Sequence, residues 1–71
     1  MKVLLTFIDY ESDKIIEVDP KFEYIQVTYD LIRGCTTLDE EALDIAYYDS
    51  RINRWIYKDE KFTDFTVCVS E

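Results

Sequence analysis

Three carboxylates at alternate positions, Asp9, Glu11 and Asp13, follow the first apolar segment of the chain. In an extended strand, alternate residues share a face, and a rise of about 3.3 Å per residue sets such carboxylates roughly 6.6 Å apart. That spacing is of the order of successive phosphates along a nucleic-acid strand. The pattern indicates either a fixed array of negative charge that fits a nucleic-acid-binding groove or, more plainly, a solvated strand edge that resists aggregation.

The densest acidic cluster is Asp39, Glu40 and Glu41, with Asp44 three residues further on. Carboxylate oxygens bind hard cations such as Ca²⁺. A calcium loop of the EF-hand type also needs acids at alternate positions, a turn glycine and a distal Glu, and this segment lacks that order. At the start of a helix, acidic residues instead complement the helix dipole. We therefore predict no metal site and no cofactor.

Catalytic chemistry has few candidates in this chain. A carboxylate pair such as Asp44 with Glu17 has the residue types for acid and base catalysis. A chain of 71 residues is expected to offer little room for a pocket of about 300 Å³ or more. The sequence contains no His, which excludes His-based nucleophilic triads and the usual zinc sites. We predict that the chain is not an enzyme.

Cys35 and Cys68 are the two cysteines, and one disulfide between them is the alternative to two free thiols. The apolar run near Met1 is too short for a signal peptide and is interrupted by Asp9 and Glu11. No apolar stretch approaches the roughly 20 residues of a membrane span. These features predict reduced thiols and a cytoplasmic location.

Aromatic residues are abundant, with six Tyr, four Phe and one Trp. Tyr and Trp dominate the energetics of protein interfaces, and a core this small cannot hide all of them. Four tyrosines are candidates for exposure in a partner-binding surface: Tyr10, Tyr24, Tyr48 and Tyr57. The equally plain interpretation is that they cover the strands of a thin sheet.

The net charge of the chain and its distribution indicate which kinds of molecule it can bind. The chain has 16 acidic and 8 basic residues, a formal net charge of −8. Residues 9–49 hold twelve acids against three basic residues, whereas residues 50–61 hold four basic residues against two acids. A field of this sign repels nucleic-acid phosphates and anionic lipid, so we expect neither to be a direct partner.

The elements that position these residues begin with two predicted strands. Residues 3–8 are β-branched, aromatic and aliphatic, which predicts a largely buried strand in the centre of a sheet. A polar turn over residues 11–14 and a short strand over residues 15–18 complete an opening hairpin.

A helix is predicted over residues 20–33. Asp19 is a good N-cap, Pro20 suits the first helical position, and Arg33-Gly34 is a typical end. Phe22, Ile25, Tyr29 and Ile32 follow helical spacing. Residues 24–29 are also rich in strand-forming types, so a strand stays open as the alternative.

The second half of the chain is predicted to be a helical turn followed by strands. Residues 37–40 match a capping box for a short helical turn, and alternation from about residue 43 predicts a strand. Residues 45–48 and 54–57 form the clearest hairpin, with Tyr48 or Tyr47 opposite Trp55. A turn over residues 58–61 precedes a final strand over residues 62–69, with Phe65, Val67 and Val69 on one face.

Together these elements predict a single α+β domain spanning residues 1–71, in the order β-β-α-β-β-β. About five mostly antiparallel strands would form a small sheet with one helix packed on one face.

The function predicted from these features is non-catalytic protein binding: an acidic inhibitor, mimicking DNA, that occludes a basic, nucleic-acid-binding groove of a larger protein. Its partner-binding residues would be the acidic set Asp9, Glu11, Asp13, Glu17, Asp39, Glu40, Glu41 and Asp44, with the four tyrosines. In size and acidity, although in no motif, the chain resembles the inhibitors that bacteriophages encode against host nucleases, restriction enzymes, CRISPR effectors or polymerase. That resemblance implies action in the host cytoplasm. The alternative is a homo-oligomeric accessory domain, such as a homodimer, that pairs an exposed sheet edge or tyrosine face with itself.

Overall fold

The computed structural model describes residues 2–37 and 42–70. In these ranges the chain forms eight β-strands: β1 (Lys2–Ile8), β2 (Lys14–Glu17), β3 (Tyr24–Val27), β4 (Leu31–Cys35), β5 (Ala42–Asp49), β6 (Arg54–Tyr57), β7 (Glu60–Phe62) and β8 (Asp64–Ser70). All the pairings are antiparallel. They form a three-stranded sheet in the order β2-β1-β8 and a five-stranded sheet in the order β3-β4-β5-β6-β7.

The three-stranded sheet is organised around β1, as its apolar sequence predicts. β1 lies between β2 and β8, which confirms the predicted central strand and opening hairpin. Leu5 and Phe7 are fully buried on its inner face, while Leu4, Thr6 and Ile8 on the other face are half-buried. Alternation along β1 therefore points one row of side chains into the core and a second row towards the outside.

The core lies between the two sheets and is rich in aromatic contacts. Its buried residues are Leu5, Phe7, Val18, Ile32, Ala46, Trp55 and Phe62. The Phe7 ring stacks on Tyr57 at 5.1 Å between centroids and packs against Phe62 at 5.3 Å. Trp55 meets Phe65 edge to face at 4.7 Å. These contacts join β1 and β8 of one sheet to β6 and β7 of the other.

The predicted helix over residues 20–33 is wrong. The structure has the hairpin β3-β4 there, with Gln26 opposite Arg33. Asp19 does cap one backbone N–H, because its side chain accepts from Lys21 N at 3.0 Å, but the segment it begins is a turn rather than a helix. The same side-chain chemistry serves turns and helix starts, and strand propensity decided between them.

Gly34 lies inside β4 rather than at a helix end. No glycine in the described residues has a positive φ, so its backbone conformation is open to other residues. A Cβ at this position would lie 2.5 Å from the Phe22 ring. Gly34 therefore provides the space in which Phe22 covers the sheet.

The hairpin of residues 45–57 is confirmed. Tyr48 pairs with Trp55, and their rings meet edge to face at 5.4 Å between centroids. β5 begins at Ala42, close to the predicted residue 43. The predicted helical turn begins at Thr37, but most of it lies outside the described residues.

The last part of the chain forms two strands where one was predicted. Lys58 and Asp59 both have positive φ, 46° and 67°, and connect β6 to β7 as a two-residue turn. After Thr63 the chain leaves the five-stranded sheet and continues as β8 beside β1. Residues 60–69 are therefore divided between the two sheets: β7 belongs to the five-stranded sheet and β8 to the three-stranded sheet.

The fold class is all-β rather than the predicted α+β, because the described residues contain no helix. The predicted single sheet under a helix is replaced by two sheets that bury their inner faces against each other. In the described ranges, no helix has the length and apolar character needed to cross a membrane.

Candidate protein-binding surface

The β1–β2 loop, residues 9–13, carries the first group of predicted acidic residues. Asp9, Glu11 and Asp13 lie after the end of β1 and before β2, so they do not have the strand geometry on which the 6.6 Å spacing (roughly two strand rises) depended. Glu11 and Asp13 are exposed, and Asp9 is half-buried. None of the three forms an ion pair with any other described residue.

Tyr10 stands beside these carboxylates and is 85% exposed. Its backbone N–H donates to Asp9 Oδ1 at 2.6 Å, which holds the start of the loop. The Arg54 guanidinium lies 5.9 Å from the centroid of the Tyr10 ring. Arg54 thus supports one face of the ring, and the rest of the ring is open to solvent.

Glu17 and Asp44 form a second acidic location, at the other end of the β1-β2 hairpin. Both line a groove of about 340 Å³ between β2, β5 and the β6-β7 turn. Glu17 is 3.7 Å from Lys2 Nζ, and Asp44 accepts from Arg33 Nε at 3.1 Å. The structure therefore brings this predicted pair to one groove, each beside a basic partner.

The groove has an apolar floor and a rim of both charges. Its apolar lining includes Phe22 and Tyr57, and Lys21 and Lys58 stand on the rim. The expectation that the chain lacks room for a space of this size is wrong, although the groove is open to solvent. Among the described residues that line it, there is no thiol, and the one hydroxyl is that of Tyr57.

Asp39, Glu40 and Glu41 lie outside the described residues. In the part of the chain that is described, no group of three or more metal-ligating side chains is found.

The four predicted tyrosines separate into two classes. Tyr10 and Tyr24 are exposed. Tyr48 and Tyr57 are half-buried: the Tyr57 ring stacks on Phe7, and the Tyr48 ring meets Trp55 edge to face. The first two are therefore available to a partner, and the other two mainly complete the core.

Several exposed apolar residues were not singled out by the sequence. Tyr29 is 91% exposed in the β3-β4 turn, and Tyr47 is exposed on the outer face of the five-stranded sheet. The strand alternative for residues 24–29 would still have placed Tyr29 at the end of a strand, whereas β3 ends at Val27 and Tyr29 lies in the turn that follows. Both cysteines are free, as predicted; Cys35 is buried and Cys68 is exposed on β8.

Asp49 and Arg51 form an ion pair at the β5-β6 turn. Arg51 donates from Nε to Asp49 Oδ1 at 3.2 Å and from Nη2 to Oδ2 at 3.1 Å. These side-chain bonds, followed by one from Arg51 N, lower the pKa of the Asp49 carboxyl, and the side-chain bonds and the charge of Asp49 raise the pKa of Arg51. A neighbouring Cys35 thiol raises the pKa of Tyr24.

This pair predicts a pH-dependent contribution to stability. Because the folded pKa of Asp49 lies below its ordinary value of 3.8, the contribution is present above that value and is lost as the pH falls through the folded pKa. We expect Asp49→Asn to melt at a lower temperature than wild type near neutral pH, with the difference shrinking towards about pH 2. Arg51→Gln removes the other partner of the ion pair. It should therefore also melt below wild type near neutral pH, by an amount that shrinks in acid in the same way. A difference in melting temperature that persists or grows in acid would contradict a stabilising role for the ionised Asp49 carboxylate.

Comparison with models of protein families, with curated proteins and with solved structures finds no match for this chain.

Proposed function

We propose that the chain is a non-catalytic protein-binding module that docks on a basic surface of a larger protein through the β1–β2 loop. The observation that carries this proposal is the loop itself. Asp9 and Glu11 are the sequence neighbours of the exposed Tyr10, Asp13 follows in the same loop, and none of the three carboxylates has a basic ion-pair partner among the described residues. Their charge is therefore available to another molecule.

The distribution of ion pairs supports this choice of surface. The described ranges hold four ion pairs, in which Glu17, Asp44, Asp49 and Glu60 meet Lys2, Arg33, Arg51 and Lys14 respectively. Of the five candidate acids in the described ranges, Glu17 and Asp44 are thus partly neutralised. The three acids of the loop are not, which makes the loop the stronger candidate for docking.

Docking by this loop uses two different physical effects. Complementary charge speeds the encounter of two proteins and fixes their orientation. A tyrosine that becomes desolvated in the interface supplies affinity, because its ring offers a large contact area with few rotatable bonds. The loop places both kinds of group within five consecutive residues, 9–13.

A basic, nucleic-acid-binding groove is the partner surface that this chemistry fits best. Such grooves carry closely spaced Lys and Arg side chains that attract phosphates, and an acidic protein attracts them too. Occupying the groove would exclude nucleic acid without any covalent step. We propose a nuclease, restriction enzyme, CRISPR effector or polymerase as the partner and the cytoplasm as the site of action, the host cytoplasm if a bacteriophage encodes the chain. Because the loop does not have strand geometry, the proposed choice of a nucleic-acid-binding groove depends on the charge and exposure of the loop and not on a phosphate-like spacing of its carboxylates.

The loop variant Asp9→Asn, Glu11→Gln and Asp13→Asn tests the proposal. These changes remove three charges and keep the size of each side chain, including the acceptor that binds Tyr10 N. We expect affinity for the partner to fall by at least about tenfold, and the melting temperature to stay nearly unchanged because the loop lies outside the core. Binding is measured by capture on the immobilised chain from a cell lysate, with mass spectrometry, and then with the purified partner.

The matched control neutralises three acids elsewhere: Glu23→Gln, Asp30→Asn and Asp59→Asn. It changes the net charge equally but leaves the loop intact, so affinity within about twofold of wild type is expected. Duplex DNA should displace the captured partner if its nucleic-acid groove is the docking surface. Equal losses for the two triple variants would contradict docking by the loop.

A further inference from the structure

β8 is an exposed sheet edge without the usual protection against strand pairing. It pairs with β1 over its full length, and no other described strand lies on its second side. Natural edge strands are commonly short or carry charges, which discourages a further strand from pairing. The edges β2 and β7 follow that rule, with Lys14 and Glu17 in one and only three residues in the other. β8 has seven residues, and residues 65–70 carry no charge.

The apolar side chains of β8 are incompletely covered. Val67 lies opposite Leu5 and Val69 opposite Val3, so both belong to the inner face of the three-stranded sheet. Val67 is nevertheless 42% exposed and Val69 57% exposed. The core contact of β8 is made by Phe65, against Trp55 and Phe7. The five-stranded sheet therefore leaves the second half of β8 uncovered.

We propose that a second copy of this chain covers this edge by antiparallel pairing of β8 with β8 about a two-fold axis at Val67. This register pairs all seven residues of each β8 strand, and a shift in either direction leaves residues unpaired. The two three-stranded sheets then continue as one sheet of six strands. A C2 arrangement needs a surface that complements itself, and this edge meets that condition.

Self-complementarity is visible in each pair of the proposed register. On the inner face, Val67 meets Val67 of the other copy, and Phe65 meets Val69, an aromatic and β-branched pair of the kind that stabilises sheets. On the outer face, Thr66 meets Cys68. At the ends, Asp64 faces Ser70, so no two carboxylates stand opposite each other.

Charge also favours β8 as the place where two copies meet. Each copy carries a net charge of −8, so two copies repel each other over most of their surfaces. The uncharged edge avoids direct opposition of carboxylates. Added salt screens the remaining repulsion, so the dimer should strengthen between about 0.1 M and about 1 M salt. Docking of the loop on a basic partner should weaken over the same range, which separates this inference from the proposed function.

Val67→Lys tests the pairing by placing two ammonium groups opposite each other at the two-fold axis. Its matched control is Ile15→Lys, on the opposite edge strand of the same sheet, where the side chain is 66% exposed. Sedimentation equilibrium from about 10 µM to about 1 mM suits the weak affinity of a small interface. We expect Val67→Lys to weaken the dimer at least about tenfold and Ile15→Lys to change it less than about twofold. Circular dichroism establishes that both variants are folded.

Cross-linking tests the register independently of affinity. At the two-fold axis, the Cα atoms of residue 67 in the two copies are expected about 4.5 to 5.5 Å apart, within the range of a disulfide. Val67→Cys in a Cys68→Ser background should therefore form a covalent dimer with oxidised glutathione, and Ile15→Cys in the same background should not. A chain that is monomeric at every concentration and salt, or equal cross-linking of the two cysteine variants, would overturn the proposal.

Discussion

Phe7→Ala is expected to lower the free energy of unfolding by about 3 to 5 kcal/mol, the range for truncation of a buried aromatic residue. Phe7 is fully buried, and its ring meets Tyr57 at 5.1 Å, Phe62 at 5.3 Å and Phe65 at 6.4 Å between centroids. Alanine would leave a cavity where the two sheets meet. A chain of 71 residues has a total stability of about 4 to 11 kcal/mol on the usual scale per residue, so much of it would be lost.

Tyr29→Ala is the control for this prediction, because Tyr29 is 91% exposed in the β3-β4 turn. Tyr29→Ala should lower the free energy of unfolding by less than about 1 kcal/mol. Urea unfolding followed by tryptophan fluorescence measures both variants, since Trp55 lies in the same core. Similar losses for the two variants would contradict the placement of Phe7 between the sheets.

Gly34→Ala is expected to lower the free energy of unfolding by about 1 to 3 kcal/mol, as overpacking of a filled site does. The new methyl group would lie 2.5 Å from Phe22 Cδ2 and 2.6 Å from Cε2, so the ring must move off the sheet. Phe22 packs against the core from the segment between β2 and β3. Its displacement would expose the apolar surface that it covers.

A double-mutant cycle identifies the cause of that loss. In a Phe22→Ala background the ring is absent, so the added methyl group of Gly34→Ala should cost less than about 0.5 kcal/mol. The same chemical denaturation measures all four proteins. An undiminished loss in the double variant would show that the backbone, rather than the Phe22 ring, requires glycine.

The strands that the sequence predicts well are those in which periodicity and turn chemistry agree. β1 and β2 follow a buried apolar run and a polar turn, and the β5-β6 hairpin follows alternation around Tyr48 and Trp55. In these segments each local signal favours the same structure, so tertiary contacts had little to decide.

The region of residues 20–33 could not be predicted because local signals conflicted. Phe22 and Ile25 have helical spacing, yet β3 is rich in strand-forming types and its hairpin partner β4 completes it. The pairing of β4 with β5 adds neighbours on the other side, which no local pattern reports. Arg33-Gly34 is typical of a helix end, whereas in the structure the small size of Gly34 is what the Phe22 ring requires.

The candidate surface was predictable in composition but only partly in position. Sequence alone identified the acids near residue 11 and the exposed Tyr10. It did not show that Glu17 and Asp44 have basic neighbours, since Lys2 and Arg33 come from other strands through pairing. The open edge of β8 was also hidden, because the last apolar segment was expected to be one strand of a single sheet.

The most direct measurement of docking by charge is the association rate constant of the captured partner and the chain as a function of salt. The proposal predicts a fall of at least about tenfold between about 0.1 M and about 1 M salt, with a much smaller change in the dissociation rate constant. It also predicts that the triple loop variant associates slowly at low salt and loses most of this dependence. An association rate that is indifferent to salt, and equal for wild type and the loop variant, would contradict a function based on the acidic β1–β2 loop.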